Sequence, residues 1–194
     1  EIAYRSHREW LEESGYTSTV DHIEDACRVT LEGGMLPHTN AGILTQDDMA
    51  RLRPLNASMG LMLETTSERL CGRGMPHHHA PDKKPAVRLR MHEEAGELQI
   101  PFPTGVLLGI GETEAERLDT IFAIRDLSDR YGHIQEVILQ PFHPKPGTKM
   151  HGVAPHDDDE IAGWPALSRL VPGPRMAVQA RPTLAPKGPG RRAA

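Results

Sequence analysis

No stretch of this chain approaches the roughly 18 consecutive apolar residues that a bilayer-spanning helix requires. The opening Glu1-Ile2-Ala3-Tyr4-Arg5 has no signal-peptide core. The expectation is a cytoplasmic protein without membrane contact. Cysteine is scarce: Cys27 and Cys71 lie far apart and read as reduced thiols rather than a disulfide. Basic charge is not in surplus, with 22 Lys and Arg against 27 Asp and Glu and a net charge of -5, which argues against a nucleic-acid partner. A G-x-S-x-G elbow, a phosphate-binding P-loop and zinc-ligand spacing are all missing. There is no initiator methionine at Glu1, so coding sequence is expected upstream.

What is present is an alternation of helical and extended patterns over most of the 194 residues, enough for one core of ordinary size. Helices are expected from Ser6 to Ser14 and from Val20 to Glu32. In the second, Val20, Ile23, Cys27 and Leu31 share a face, which makes Cys27 a small core residue. Met35 to His38 reads as a short buried strand, Thr45 to Asp48 as a capped helix start closed by Pro54, and Leu55 to Leu63 as a second strand. A polar loop rich in His, Pro and Gly follows from about Thr65 to Lys84.

Pro85 suits a helix N-terminus, with Val87, Met91, Ala95 and Leu98 along one face. Phe102 to Ile110 is a third strand, Thr113 to Glu116 a capping box, and Gly132 the end of the helix it opens. Ile134 to Leu139 is a fourth strand, and the acidic run from Asp157 to Glu160 opens a last helix. From Pro172 the chain is rich in proline and arginine without acidic residues, and its end, from Ala185 to Ala194, is expected to be irregular. About four strands and five or six helices make the fold class α/β, part of a parallel barrel with functional residues at the strand carboxyl ends.

Four strand ends carry polar or glycine residues, as a common pocket would require. His38 and Asn40 follow the first, Glu64 and Thr65 the second, Gly109 to Glu112 the third, and Gln140, Phe142 and Lys145 the fourth. The glycines of Gly105-Val-Leu-Leu-Gly-Ile-Gly-Glu112 either admit a flat ligand to the backbone or only shape a turn. Glu64, ending an apolar strand, either accepts a pair of ribose hydroxyls or is a solvated rim residue. Arg88 and Arg90 either reach over the strand ends to a carboxylate or make surface salt bridges. His77-His78-His79 cannot converge on one ion and reads as a solvated loop, so no metal ligands are assigned.

The segments PHTNAGILT (37–45), SMGLMLETTSERLC (58–71), PDKKPAVRLRMHEEAG (81–96), PFPTGVLLGIGETEAER (101–117) and YGHIQEVILQPFHPKPGT (131–148) closely resemble FO synthase, in order and spacing, over roughly residues 4–183. This radical S-adenosylmethionine (SAM) family forms 7,8-didemethyl-8-hydroxy-5-deazariboflavin, the chromophore of coenzyme F(420). The resemblance implies a partial (β/α)6 radical SAM barrel over residues 1–183 with an irregular tail at 184–194. It also implies SAM and a [4Fe-4S] cluster in the full-length parent, acting as a lyase/cyclase. The substrate would be a hydroxybenzyl adduct of 5-amino-6-ribitylaminouracil, made from tyrosine by a partner subunit or fused domain and closed with loss of ammonia.

Carried over by position, Gly105, Gly109, Gly111 and Glu112 lie along SAM adenine, Glu64 holds its ribose and Arg88 its carboxylate, with Arg90 as substitute. Val137 to Leu139 offer backbone groups to adenine, while His38, Asn40, Ser58, Gln140 and Lys145 are candidates for the ribityl-bearing substrate. The cysteine triplet C-x3-C-x2-C that leaves one iron open for SAM is not in this chain, so the fragment is expected to bind no iron and to be inactive alone. The first strands and the cluster loop are expected upstream. Pro141 and His143 stand where the family has Asn and Arg, and the tail PKGPGRRAA does not match it. A sister radical SAM enzyme, either the tyrosine-using partner or one of the menaquinone pathway, and an inactive truncated remnant are the alternative readings.

Overall fold

The computed structural model describes residues 5–154, 158–170 and 176–180. The acidic residue Asp157, the stretch 172–175 and the expected irregular tail lie outside the described residues. Helices α1 (Arg5–Glu13) and α2 (Thr19–Glu32) open the chain, and α2 starts where the Ser18 hydroxyl accepts the Asp21 N–H. Strand β1 (His38–Thr39), α3 (Gln46–Leu52), β2 (Ser58–Met59) and α4 (Pro85–Glu97) follow. Then come β3 (Phe102–Leu108), α5 (Glu114–Tyr131), β4 (Ile134–Pro141), α6 (Asp158–Leu170) and β5 (Ala177–Ala180). Capping boxes at Thr45/Asp48 and Thr113/Glu116 start α3 and α5, and Gly132 in the left-handed conformation ends α5, as the residue types at those positions require.

All strand pairings are parallel: β1 with β2, and β3 with β4 and β4 with β5. The two groups are joined between β2 and β3. Met59 N–H donates to Pro101 O at 3.1 Å, Leu61 N–H to Pro103 O at 3.3 Å, and Glu64 N–H to Gly105 O at 2.9 Å. Glu64 also forms a parallel bridge with Val106. The backbone order is therefore β1-β2-β3-β4-β5, a curved run of parallel strands with helices between them, which is the α/β partial barrel read from the sequence.

Alternation assigns the faces. Met59, Leu61, Leu63, Phe102, Val106, Leu108, Val137 and Leu139 turn toward the helices and form two apolar clusters. One involves Met49, Leu52 and Met91, the other Ile121, Ile124 and Trp164. Each such side chain stabilises by about 1.5–3 kcal/mol on burial. The opposite face carries His38, Ser58, Gly60, Met62, Pro103, Gly105 and Leu107. A Cβ on Gly60 would lie 3.0 Å from Pro103 Cγ and 3.1 Å from His38 Cε1, and one on Gly105 would lie 2.8 Å from Met62 Cε. This inner face is the wall of the site.

Several sequence expectations need correction. Met35 to His38 is not a buried strand: Met35 and Leu36 are 61% and 79% exposed, and only His38-Thr39 pairs. Their apolar side chains stay largely in solvent beside α2, so local hydrophobicity misread them. Leu55 lies in a 3-10 turn with Pro54, and the second strand is reduced to Ser58-Met59, with Glu64 adding one isolated bridge to Val106. Cys27 is buried as expected, but Leu31, at the solvent end of the same face, is 39% exposed. β5 was not foreseen, since the proline-rich composition around it masked a four-residue strand.

Gly105 has a packing reason that precedes any ligand. A Cβ there would stand 2.0 Å from the Ile138 carbonyl oxygen, on the strand beside it. Gly105→Ala is expected to destabilise the fold by about 1–3 kcal/mol through forced separation of β3 and β4, read as a lower urea midpoint with unchanged m. A midpoint equal to the parent's would mean that β3 and β4 part without cost.

Candidate functional site

The site is built around Glu64. It follows the apolar Leu61-Met62-Leu63 and sits in the left-handed region, at φ 64, where a residue with a Cβ carries strain of about 1–3 kcal/mol. The neighbours over-determine that conformation. Glu64 N–H donates to Gly105 O at 2.9 Å, and Leu107 N–H donates to Glu64 O at 3.0 Å, so β3 grips the residue on both sides.

Its carboxylate is 13% exposed and meets three donors. Lys83 Nζ lies 3.0 and 2.9 Å from the two oxygens, Arg88 Nη1 3.0 Å from Oε1, and His77 Nε2 3.2 Å from Oε2. Burial alone would raise the Glu64 pKa. The His77 hydrogen bond and the Arg88 and Lys83 charges outweigh it and hold the carboxyl down at about 2.

Arg88, expected to reach a ligand carboxylate, is buried and committed. Its Nε donates to Asp82 O at 3.0 Å, its Nη1 to Met62 O and to Glu64, and its Nη2 lies 3.8 Å from Asp82 Oδ2. The helical stripe of α4 is rotated relative to the sequence reading because Arg88 and His92 are on its buried side. Arg90 is an exposed partner of Glu94 at 2.8 Å, the salt-bridge reading. The freer cation is Lys83, whose side chain is 32% exposed on a flexible stem.

The glycine turn after β3 is internally closed. Gly109 and Gly111 have φ of 97 and 98, which glycine adopts without cost. Glu112 accepts the N–H groups of Gly109 at 2.6 Å and Ile110 at 2.8 Å, and pairs with Arg117 at 2.7 Å. Its carboxylate is a staple of the turn. Arg69 ties that turn to the loop after β2: it donates to Gly111 O at 2.8 Å and pairs with Glu116, which also accepts from Ser67.

The structure brings His38 and Ser58 together, with Nδ1 and Oγ 2.8 Å apart on the inner face. Asn40 is exposed just beyond β1, Gln140 is half-buried near the end of β4, and Lys145 is exposed in the following turn. The backbone of Val137, Ile138 and Leu139 is not open to adenine, because those residues pair with β3 on one side and β5 on the other. Sequence reasoning missed His77, Lys83 and Arg69. His77, read as solvated with its two neighbours, is 4% exposed. Only the spacing from Glu64 through the polar loop to Pro85 carried a trace of this cluster.

Fit to the groups that the fold implies differs between them. Glu64 suits the two vicinal hydroxyls of a nucleoside, and the turn after β3 leaves room at Gly111, where an added Cβ would meet nothing within 4 Å. The cluster does not fit: the chain has two cysteines, and Cys27 is buried on the helix side of β1 near Thr39 and Asn56. Among the described residues no group of three or more His, Cys, Asp or Glu could hold a metal ion. No described helix is long and apolar enough to cross a membrane.

No family model matches the chain. Curated proteins do. The 7,8-didemethyl-8-hydroxy-5-deazariboflavin synthase of Methanoregula boonei is 51% identical over 91% of the chain and 52% of that protein. That of Methanopyrus kandleri is 47% identical over 95% of the chain and 55% of that protein. The FO synthase of Mycobacterium tuberculosis is 48% identical over 95% of the chain and 22% of that protein. The chain thus spans about half the length of the first two relatives and about a fifth of the third.

Among solved structures, methylornithine synthase (PylB) is similar with a TM-score of 0.68 at 15% identity, over 82% of the chain and 45% of PylB. HydG, a maturase of the [FeFe]-hydrogenase, gives 0.67 at 16% identity, over 82% of the chain and 37% of HydG. Streptococcus suis SuiB bound to S-adenosylmethionine gives 0.57 at 9% identity, over 82% of the chain and 36% of SuiB. These likenesses carry the fold alone, a partial α/β barrel of parallel strands.

Proposed function

We propose, from the chain's homology over 91–95% of its length to part of the FO synthases, that it supplies the SAM-holding wall of a deazaflavin-forming site. In the longer protein this is a radical SAM lyase/cyclase that closes the tyrosine-derived adduct of 5-amino-6-ribitylaminouracil to 7,8-didemethyl-8-hydroxy-5-deazariboflavin. A tyrosine-using partner subunit or fused domain would supply that adduct. When bound and reduced, SAM supplies the hydrogen-abstracting chemistry. The residues here bind and orient.

The observation that carries the reading is Glu64, a buried carboxylate on a strained backbone five residues after β2, beside β3, whose following turn has open space at Gly111. Glu64 accepts the ribose hydroxyls in place of its contact with Lys83. Lys83, released from Glu64, takes the amino-acid carboxylate, since Arg88 is buried with Nε and Nη1 committed to the chain's own acceptors, whereas the Lys83 side chain is 32% exposed. The Gly109–Gly111 turn borders the adenine. His38 and Ser58 on the inner face, with Asn40, Gln140 and Lys145 around the rim, face the polar ribityl chain of the substrate.

Titration calorimetry of SAM and of 5′-deoxyadenosine, which has no carboxylate, tests this arrangement. Lys83→Ala is expected to weaken SAM about tenfold and 5′-deoxyadenosine less than about twofold, as for one charge-assisted contact. Equal loss for both ligands would remove Lys83 from the carboxylate site. Supplying the tyrosine-derived adduct to the full-length protein tests the reaction, with a fluorescent deazaflavin as the expected product; a different product would favour a sister radical SAM enzyme.

A further inference from the structure

We infer that His77 is a positioning residue: its Nε2–H fixes the second oxygen of Glu64, so that the carboxylate plane stays set for vicinal hydroxyls when Lys83 lets go. The inference rests on the proposed nucleoside reading of Glu64 and adds a residue to it.

His77 is held in place by its own backbone. Its N–H donates to Leu70 O and its carbonyl accepts from Ala80 N–H, both at 3.0 Å. The ring is 4% exposed, with Nε2 3.2 Å from Glu64 Oε2. The other nitrogen, Nδ1, is buried without a hydrogen-bond partner. A carboxylate accepts but cannot donate, so Nε2 must carry the proton. A second proton, on Nδ1, would be a buried donor without an acceptor, which costs about 1–3 kcal/mol. The tautomer with the proton on Nε2 is therefore the one that serves Glu64.

Lys83 and Arg88 already match Glu64 and Asp82 in charge, so what the third contact adds is direction. Arg88 fixes Oε1 alone, and a carboxylate held at one oxygen turns about its Cγ–Cδ bond. A donor on Oε2 stops that rotation while leaving further lone pairs open. His78 and His79 take no part: both are exposed, and their rings lie 4.2 Å apart against each other.

The test uses the full chain in two arms. In the ligand-free arm, NMR of ring-labelled histidine is expected to show a slowly exchanging, downfield Nε2–H proton of His77 that moves upfield in Glu64→Gln. Absence of that response overturns the inference whatever the ligand. In the binding arm, His77→Phe, which keeps a planar ring and loses the donor, is expected to weaken SAM about tenfold. The same variant should weaken a 2′,3′-dideoxyribose analogue of SAM less than about twofold, and His77→Gln should recover most of the SAM affinity. Unchanged SAM binding by His77→Phe, or equal loss for both ligands in a folded variant, overturns it. A wild-type chain that ignores SAM but shows the Nε2–H response would sink the nucleoside reading and leave the His77–Glu64 linkage standing.

Discussion

Arg88→Met is expected to destabilise the protein by about 3–5 kcal/mol, the usual result of removing one partner from a buried ion pair, which corresponds to a drop in Tm on the order of 10 °C for a chain of this size. Two losses add. Glu64 keeps its charge inside the fold with Lys83 and His77 alone, and the carbonyls of Met62 and Asp82 lose their donor. Arg88→Lys recovers little, because a single ammonium cannot span three acceptors in a fixed fork. The double variant Glu64→Leu, Arg88→Met is expected to be more stable than Arg88→Met, since it removes the stranded charge. Urea denaturation checks all three, and a double variant no better than the single one would mean that the carbonyl bonds, not the ion pair, dominate. The sign with pH follows from Glu64. Its carboxyl is held down at about 2 against an ordinary 4.5, so its contribution is full above pH 4.5 and is lost as pH falls toward 2.

The second large effect begins at much milder acidity. His92 is fully buried between α4 and β3, and burial pushes its imidazole down to about 4 from an ordinary 6.5. Neutral, it fits: Nδ1–H donates to Arg88 O at 2.7 Å, and Nε2 accepts from the Thr104 hydroxyl at 2.7 Å, which itself accepts Leu63 N–H at 3.1 Å. Protonation of Nε2 would set its N–H against the Thr104 hydroxyl, whose own hydrogen would lose its acceptor. The unfolded chain takes up this proton below pH 6.5 and the folded chain only near 4, so stability falls as pH drops through that window. About 3 kcal/mol is lost across it. Buried His133, whose pKa is also lowered by burial, adds to the slope. Urea midpoints measured between pH 7 and 4 should fall steadily, and His92→Gln should reduce the slope by about one proton. An unchanged slope would show that His92 does not titrate with unfolding.

Much of this architecture can be read from the residues because its signals are local. Thr45 and Thr113 each precede an acidic residue at the third helical position, Pro85 can only begin a helix, and Gly132 suits the left-handed end of one. The long apolar runs of β3 and β4 are what parallel strands buried on both faces require. Glu64 and the glycines could be singled out because a carboxylate or a missing side chain inside an apolar run demands a reason. The failures are tertiary. Met35 and Leu36 look like a strand, but both remain largely exposed, and β5 is a strand only because β4 offers it an edge.

The ion-pair cluster was the hardest part to foresee. Arg88 was assigned to a ligand when its partner was Glu64, 24 positions upstream and on another element, and His77 was grouped with neighbours it does not resemble in the fold. Pairing across a loop leaves no periodicity. Gly105 belonged to the right segment for a different reason, the approach of Ile138.

Arg69 joins the loop after β2 to the turn after β3, bonding the Gly111 carbonyl and the Glu116 carboxylate together. The two rims of the wall are thereby hitched through one half-exposed side chain. The loop that follows Glu64 and the glycine turn therefore share one guanidinium, so a change in either loop reaches the other through Arg69.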